Sequence, residues 1–216
     1  MGFDPKMILM IPVLLFSVII HECAHGLSAF YLGDDTAKVS GRLTLNPIPH
    51  IDIVGTIIFP VLMLLTHSSV IFGWAKPVPV NIYRLRKPSR DHIIVSLSGV
   101  TANFLLAVVF AITFKLFVFN LGLISRSNPL AIMFLYGIYI NAILAAFNLM
   151  PIPPLDGSWV LYRLLPSNIA EKFLQLFPYG FLILLIMLFT GIFNAMLSPV
   201  LTFLLSVINL ISSIVF

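Results

Sequence analysis

A chain of 216 residues that is 60% hydrophobic, only 9% charged and has a mean hydropathy of +1.08 is too apolar for a soluble domain, and is expected to be an integral, multi-pass membrane protein. Its net charge of +4 is carried largely by one short loop, which argues for membrane orientation and against nucleic acid as a partner. The single cysteine excludes an internal disulfide.

In chain order, residues 7–32 form an apolar run long enough to span a bilayer at about 1.5 Å of rise per residue. Pro12 is placed to kink it. Within the run lies Ile19-Ile20-His21-Glu22-Cys23-Ala24-His25-Gly26, which contains an H-E-x-x-H motif. Helix residues four apart share a face, so His21 and His25 can hold one metal ion between them. Glu22, one step round, can reach a water on that metal. Ionisable groups inside a membrane span are costly and point to function by default. A lone histidine on an apolar helix is more often a satisfied core residue, but here two His and one of only two Glu in the chain fall into one five-residue pattern. Cys23 lies about 200° round the helix from His21 and reads as a small core residue. No cleavable signal peptide is expected, because the run is long, lacks a small-residue cleavage site and contains the motif.

Gly33-Asp34-Asp35 ends this helix, and residues 36–45 alternate loosely like a strand, suggesting a small β element at the cytoplasmic membrane surface. In the following Pro-rich loop, His50 and Asp52 are read as parts of a solvated turn at least as readily as site residues. Residues 53–72 could just span, but Pro60 breaks them and His67 interrupts their end. Residues 73–81 hold two prolines that force extended backbone, so an edge strand is expected there. Arg84, Arg86, Lys87 and Arg90 then form a basic, cytoplasm-facing cluster before a helix over residues 92–120, in which Gly99 and Asn103 share a face and are read as packing residues.

Residues 130–150 form another span carrying Asn141 and Asn148. It is followed by Pro151-Ile152-Pro153-Pro154-Leu155-Asp156-Gly157, where three prolines break the helix in or near the membrane. Broken backbone at that depth is tolerated where it lines a buried site. Residues 177–193 and 197–216 close the chain as a helical hairpin without site chemistry. The fold class is therefore an all-α polytopic membrane protein with about five to six membrane segments and one small β element. Residues 1–216 are read as one domain, with a core at 7–165 and the hairpin at 177–216.

Hydrolytic zinc sites use three protein ligands and leave one position for water, commonly two His and a carboxylate. Asp156 is the candidate third ligand. Asp34, Asp35, Asp52 and Asp91 sit in apparent loops and need no metal to explain them, whereas Asp156 follows a helix break that also brings the amide of Asn148 nearby.

His21-Glu22-Cys23-Ala24-His25, together with Asn148-Leu149-Met150-Pro151-Ile152-Pro153-Pro154-Leu155-Asp156-Gly157, resembles the paired motifs of the site-2 proteases, which are intramembrane zinc metalloproteases. Gly41 to Pro47, Gly73 to Pro79 and Gly99 to Asn103 resemble the compact bacterial and archaeal branch, so the likeness covers about residues 7–165. One departure is Val100, where the family usually has proline; it bears on helix packing and not on the metal site. The resemblance implies one zinc ion per chain held by His21, His25 and Asp156, with Glu22 as general base and Asn148 helping to stabilise the oxyanion. It implies zinc-dependent cleavage of membrane-spanning helices of other proteins, in the plasma membrane of a prokaryotic cell. An extended substrate could pair with residues 77–80. The alternative is an intramembrane zinc transporter or sensor using the same ligands without hydrolysis, for which Glu22 beside the first ligand has no use.

Overall fold

The computed structural model describes residues 8–58, 61, 62, 65 and 73–213. The described helices are α1 (Met10–Tyr31), α2 (Thr36–Val39), α3 (Pro88–Phe114), α4 (Pro129–Asn148), α5 (Asp156–Leu164), α6 (Ser167–Leu174), α7 (Gly180–Phe189) and α8 (Ile192–Ser212). Five stretches among the described residues are long and apolar enough to cross a membrane: α1, Pro88–Asn120, α4, Ser167–Phe189 and α8. The chain is a multi-pass membrane protein, as its composition requires. The segment at 53–72 is described only in part, beginning with a π-helical turn over Ile53–Ile58. The bend expected at Pro60 lies outside the described residues.

α3 is the central helix, packing against α1, α4, α5 and α8. Its contact with α4 is built on alanines: Ala107 and Ala111 meet Ala131 and Ala142, and Phe114, Ile138 and Ile208 fill the same cluster. Lipid offers no hydrophobic drive for helix association, so small side chains that let two backbones approach supply the packing instead. Val100 lies inside α3, where proline would remove a helical hydrogen bond. Both α3 and α4 start on local signals. Pro88 stands at the head of α3, where the Asp91 carboxylate accepts from Lys87 N at 2.8 Å, and Asn128 caps α4 by accepting from Leu130 N at 2.9 Å.

The end of α1 and the start of α3 meet. α1 stops at Leu32, before Gly33 in the left-handed region at φ 112°, and Arg86 N donates to Leu32 O at 3.0 Å. Asp34, fully buried, accepts from Thr36 N at 3.0 Å and from Asn81 N at 2.6 Å. The loops after α1 and before α3 are therefore at one end of the bundle.

The small β element is not seen, since no strand occurs among the described residues. Thr36–Val39 is a helical turn because the Asp34 carboxylate captures the Thr36 amide, as an N-terminal capping group does. Residues 77–80 are non-helical, as two prolines dictate, but they pair with no strand. The Val78 N–H is taken by Glu22, and Pro77 and Pro79 have no N–H to give. Arg42 fixes the same segment by donating through Nη2 to Lys76 O at 2.7 Å and Pro77 O at 3.3 Å.

The Pro-rich break after α4 is buttressed by the C-terminal helices. Met150, Ile152 and Leu155 pack with Leu184 of α7 and Phe193 of α8. The hairpin turn falls at Thr190-Gly191, earlier than the sequence suggested, because Gly191 adopts φ 76° there. Lys115 donates to the carbonyls of Ser212 and Ser213, which satisfies acceptors at the open end of α8.

Candidate metal centre

Three ligand-type atoms converge from two elements far apart in sequence. His21 and His25, one turn apart on α1, bring their Nε2 atoms to 3.0 Å. Asp156, the first residue of α5, places Oδ2 at 3.2 Å from His21 Nε2 and 3.3 Å from His25 Nε2. Each imidazole is already spoken for on its other nitrogen: His21 Nδ1 lies 2.6 Å from Asn103 Oδ1, and His25 Nδ1 lies 2.7 Å from Val95 O. Both partners are acceptors, so in the neutral rings the hydrogens sit on Nδ1 and the lone pairs on Nε2.

This arrangement tests the fit of a metal. Asp156 Oδ2 is buried within ion-pair distance of both rings, yet it makes no aligned hydrogen bond. Three acceptor atoms with no donor among them repel unless a cation lies between. Their separations of 3.0–3.3 Å match the edge of a tetrahedron about a zinc ion, about 3.3 Å for bonds near 2.0–2.1 Å. The residues therefore fit zinc.

The fold makes room for this set. A Cβ on Gly99 of α3 would stand 2.5 Å from His25 Nε2 and 2.6 Å from His21 Cε1, so only glycine lets the rings lie between α1 and α3. Gly157 is equally constrained, since a Cβ there would run into the Leu149 carbonyl and close off the turn that returns Asp156 to the site. α5 is pinned to α3 by Arg163, whose Nε donates to His92 Nδ1 at 3.0 Å, and by Trp159, whose ring centroid lies 5.0 Å from that of His92. Arg163 thus fixes the helix that begins with Asp156.

Glu22 is partly buried next to the candidate ligand His21 in sequence and accepts from Val78 N through Oε2 at 2.7 Å. Asn148 ends α4, and its Nδ2 donates to Leu144 O at 3.0 Å. His50 and Asp52 take local structural roles: His50 Nε2 lies 2.9 Å from Thr44 O, and Asp52 Oδ1 accepts from Gly55 N at 2.7 Å. Cys23 lies on the other side of α1 from His21, with Sγ on Thr44 O at 3.2 Å. Asn103, read from the sequence as packing, proves to be the partner of a candidate metal ligand, His21. Its four-residue spacing from Gly99 was the available signal, since the glycine makes room for the rings and the amide meets one of them.

The model of peptidase family M50 matches residues 120–189, a window that takes in Asn148 and Asp156. The chain is 37% identical over 190 residues to YwhC of Bacillus subtilis, spanning 87% of this chain and 83% of the relative. It is 30% identical over 192 residues to Rip2 of Mycolicibacterium smegmatis, spanning 87% and 69%, and 33% identical over 94 residues to MJ0611 of Methanocaldococcus jannaschii, spanning 43% and 46%. All three relatives carry the name "putative zinc metalloprotease". No solved structure matches.

Proposed function

Because this chain belongs to peptidase family M50, the site-2 protease family, we propose that it is an intramembrane endopeptidase that hydrolyses peptide bonds in or near membrane-spanning helices of other proteins. The observation that carries the proposal is the convergence of Asp156 with His21 and His25, which lie beside Glu22 on a helix apolar enough to cross a membrane. When bound, zinc supplies a Lewis acid and lowers the pKa of a water from about 15.7 in bulk towards about 7.

The chain's residues supply the rest. Glu22 receives the proton from the attacking water on Oε1, since Oε2 is engaged by Val78 N–H, and passes it to the leaving amine nitrogen. Asn148 has two amide hydrogens, of which one goes to Leu144 O. The other is available to the developing oxyanion, where a placed donor is most effective. Asn103 and Val95 orient the two imidazoles. The substrate is a transmembrane helix presented from the lipid and unwound at the scissile bond, because a helical peptide group is shielded by its own hydrogen bonds. Strand pairing with residues 77–80 is not part of this proposal, since the Val78 N–H that such pairing would use is committed to Glu22. Residues 7–165 are taken as the catalytic core, and 177–216 as a hairpin that supports the Asp156 turn.

The test is a cleavage assay in detergent on a mixed panel of single-span substrates, with and without a zinc chelator. Chelator-sensitive cleavage is expected. Zinc flux into proteoliposomes with no cleavage of any substrate would instead establish the transporter reading.

A further inference from the structure

Behind His21 lies a chain of polar side chains that runs away from the site into the interior of the helix bundle. Ser17, Asn103 and Asn141, from α1, α3 and α4, each have 0% exposure. Buried amides among apolar helices are retained only when their hydrogen bonds are made, and here all are made.

The order of these bonds can be deduced from its far end. Asn141 has one amide atom 2.8 Å from Gly137 O, and a carbonyl can only accept, so that atom is the NH2 group, which also donates to Ser17 Oγ at 2.8 Å. Ser17 Oγ in turn donates to Val13 O at 2.8 Å. The oxygen of Asn141 must then face Asn103, whose Nδ2 donates to it at 2.8 Å and to Ser17 O at 3.2 Å. That leaves Asn103 Oδ1 as the atom 2.6 Å from His21 Nδ1. An acceptor there places the ring hydrogen on Nδ1 and the lone pair on Nε2, towards Asp156 and His25. The polarity of the whole chain is thus set by two backbone carbonyls, Gly137 O and Ser17 O, that cannot reverse.

We propose that Asn103 and Asn141 are positioning residues for the metal ligand His21: Asn141, without touching any ligand, holds Asn103 in the one amide orientation that fixes the His21 tautomer and ring plane. His25 needs no such device, because its Nδ1 is held by the backbone carbonyl of Val95. The two histidines therefore differ. Side-chain substitutions three helices deep can loosen His21, while the corresponding support of His25 is part of α3 itself. This inference rests on the metal reading of the site and is independent of whether the chain cleaves peptides.

The experiment measures zinc affinity by chelator competition on the monodisperse fraction of the full chain in detergent, together with the visible spectrum of the cobalt(II)-substituted protein and the melting of the metal-free protein. Asn141→Leu should weaken zinc about 10–100-fold, the usual cost of losing an outer-shell partner, and should shift the cobalt spectrum. Asn103→Leu should do at least as much, because it removes both the acceptor on His21 Nδ1 and the donor to Asn141 Oδ1 and Ser17 O. Ser17→Ala is the milder second variant, and it decides alone if Asn141→Leu gives no monodisperse protein. A loss of about threefold or more in either of these two variants supports the proposal; affinity closer than that to the parent in both, with an unchanged cobalt spectrum and at most a lower melting temperature, would leave only a structural role and overturn it. Tight zinc binding by a parent chain that cleaves nothing would count against the proposed function and leave this inference standing.

Discussion

Val78 N–H donates to Glu22 Oε2 at 2.7 Å, so residues 77–80 lie directly on the carboxylate beside the candidate metal ligands. One oxygen of Glu22 is thereby held, and the other is the one to which the proposed mechanism assigns proton transfer.

Glu22→Gln keeps the size of the side chain and an oxygen to accept from Val78, so residues 73–81 should stay in place. It cannot take a proton. Peptide cleavage should fall by at least about 10²–10⁴-fold, the usual contribution of a general base, while zinc content measured on the purified variant stays at the parent level. Loss of zinc in this variant would mean that Glu22 is a ligand.

Asp156→Ala removes one of the three candidate ligands and leaves two imidazole nitrogens 3.0 Å apart. Zinc affinity should drop by more than the roughly 10–100-fold typical of an outer-shell loss. Chelator competition checks this, and an affinity equal to the parent's would remove Asp156 from the site.

Gly99→Ala would set a methyl carbon 2.5 Å from His25 Nε2. Either the rings or α3 must move, at a cost of about 1–3 kcal/mol as for other overpacked interiors. Thermal melting should show the destabilisation, and metal titration should show weakened zinc binding. A variant with parent-like melting and zinc affinity would show that the rings do not lie against α3 as described.

The bond from Arg86 N to Leu32 O places the loop after α1 and the loop before α3 at one end of the bundle. Both should face the cytoplasm, which holds the basic cluster, so that residues 53–72 enter and leave the membrane on the same side. Cysteines at the exposed positions Ser40 and Ser89 should react with an impermeant thiol reagent from the same side. The background Cys23→Ser retains a donor for Thr44 O. Labelling of Ser40→Cys and Ser89→Cys from opposite sides would exclude this topology.

The elements of the site were legible in the sequence because they are written locally. A four-residue spacing puts His21 and His25 on one helix face, a run of prolines must break a helix before Asp156, and an apolar run of bilayer length must cross a membrane. These follow from backbone geometry and composition alone. What joins α1 to α5 at one metal, and what each polar side chain is bonded to, depends on contacts between residues distant in the chain. Thr36 became helical rather than extended because Asp34 captures its amide, and the Val78 N–H went to Glu22 rather than to a strand. Asn103 reads as a packing residue in the sequence and Asn141 as no more than an amide within a span, and only the approach of α1, α3 and α4 gives their amides a direction. Periodicity fixes which face a residue occupies; the partner across the interface, and hence the polarity of a buried hydrogen bond, exists only once the helices have packed.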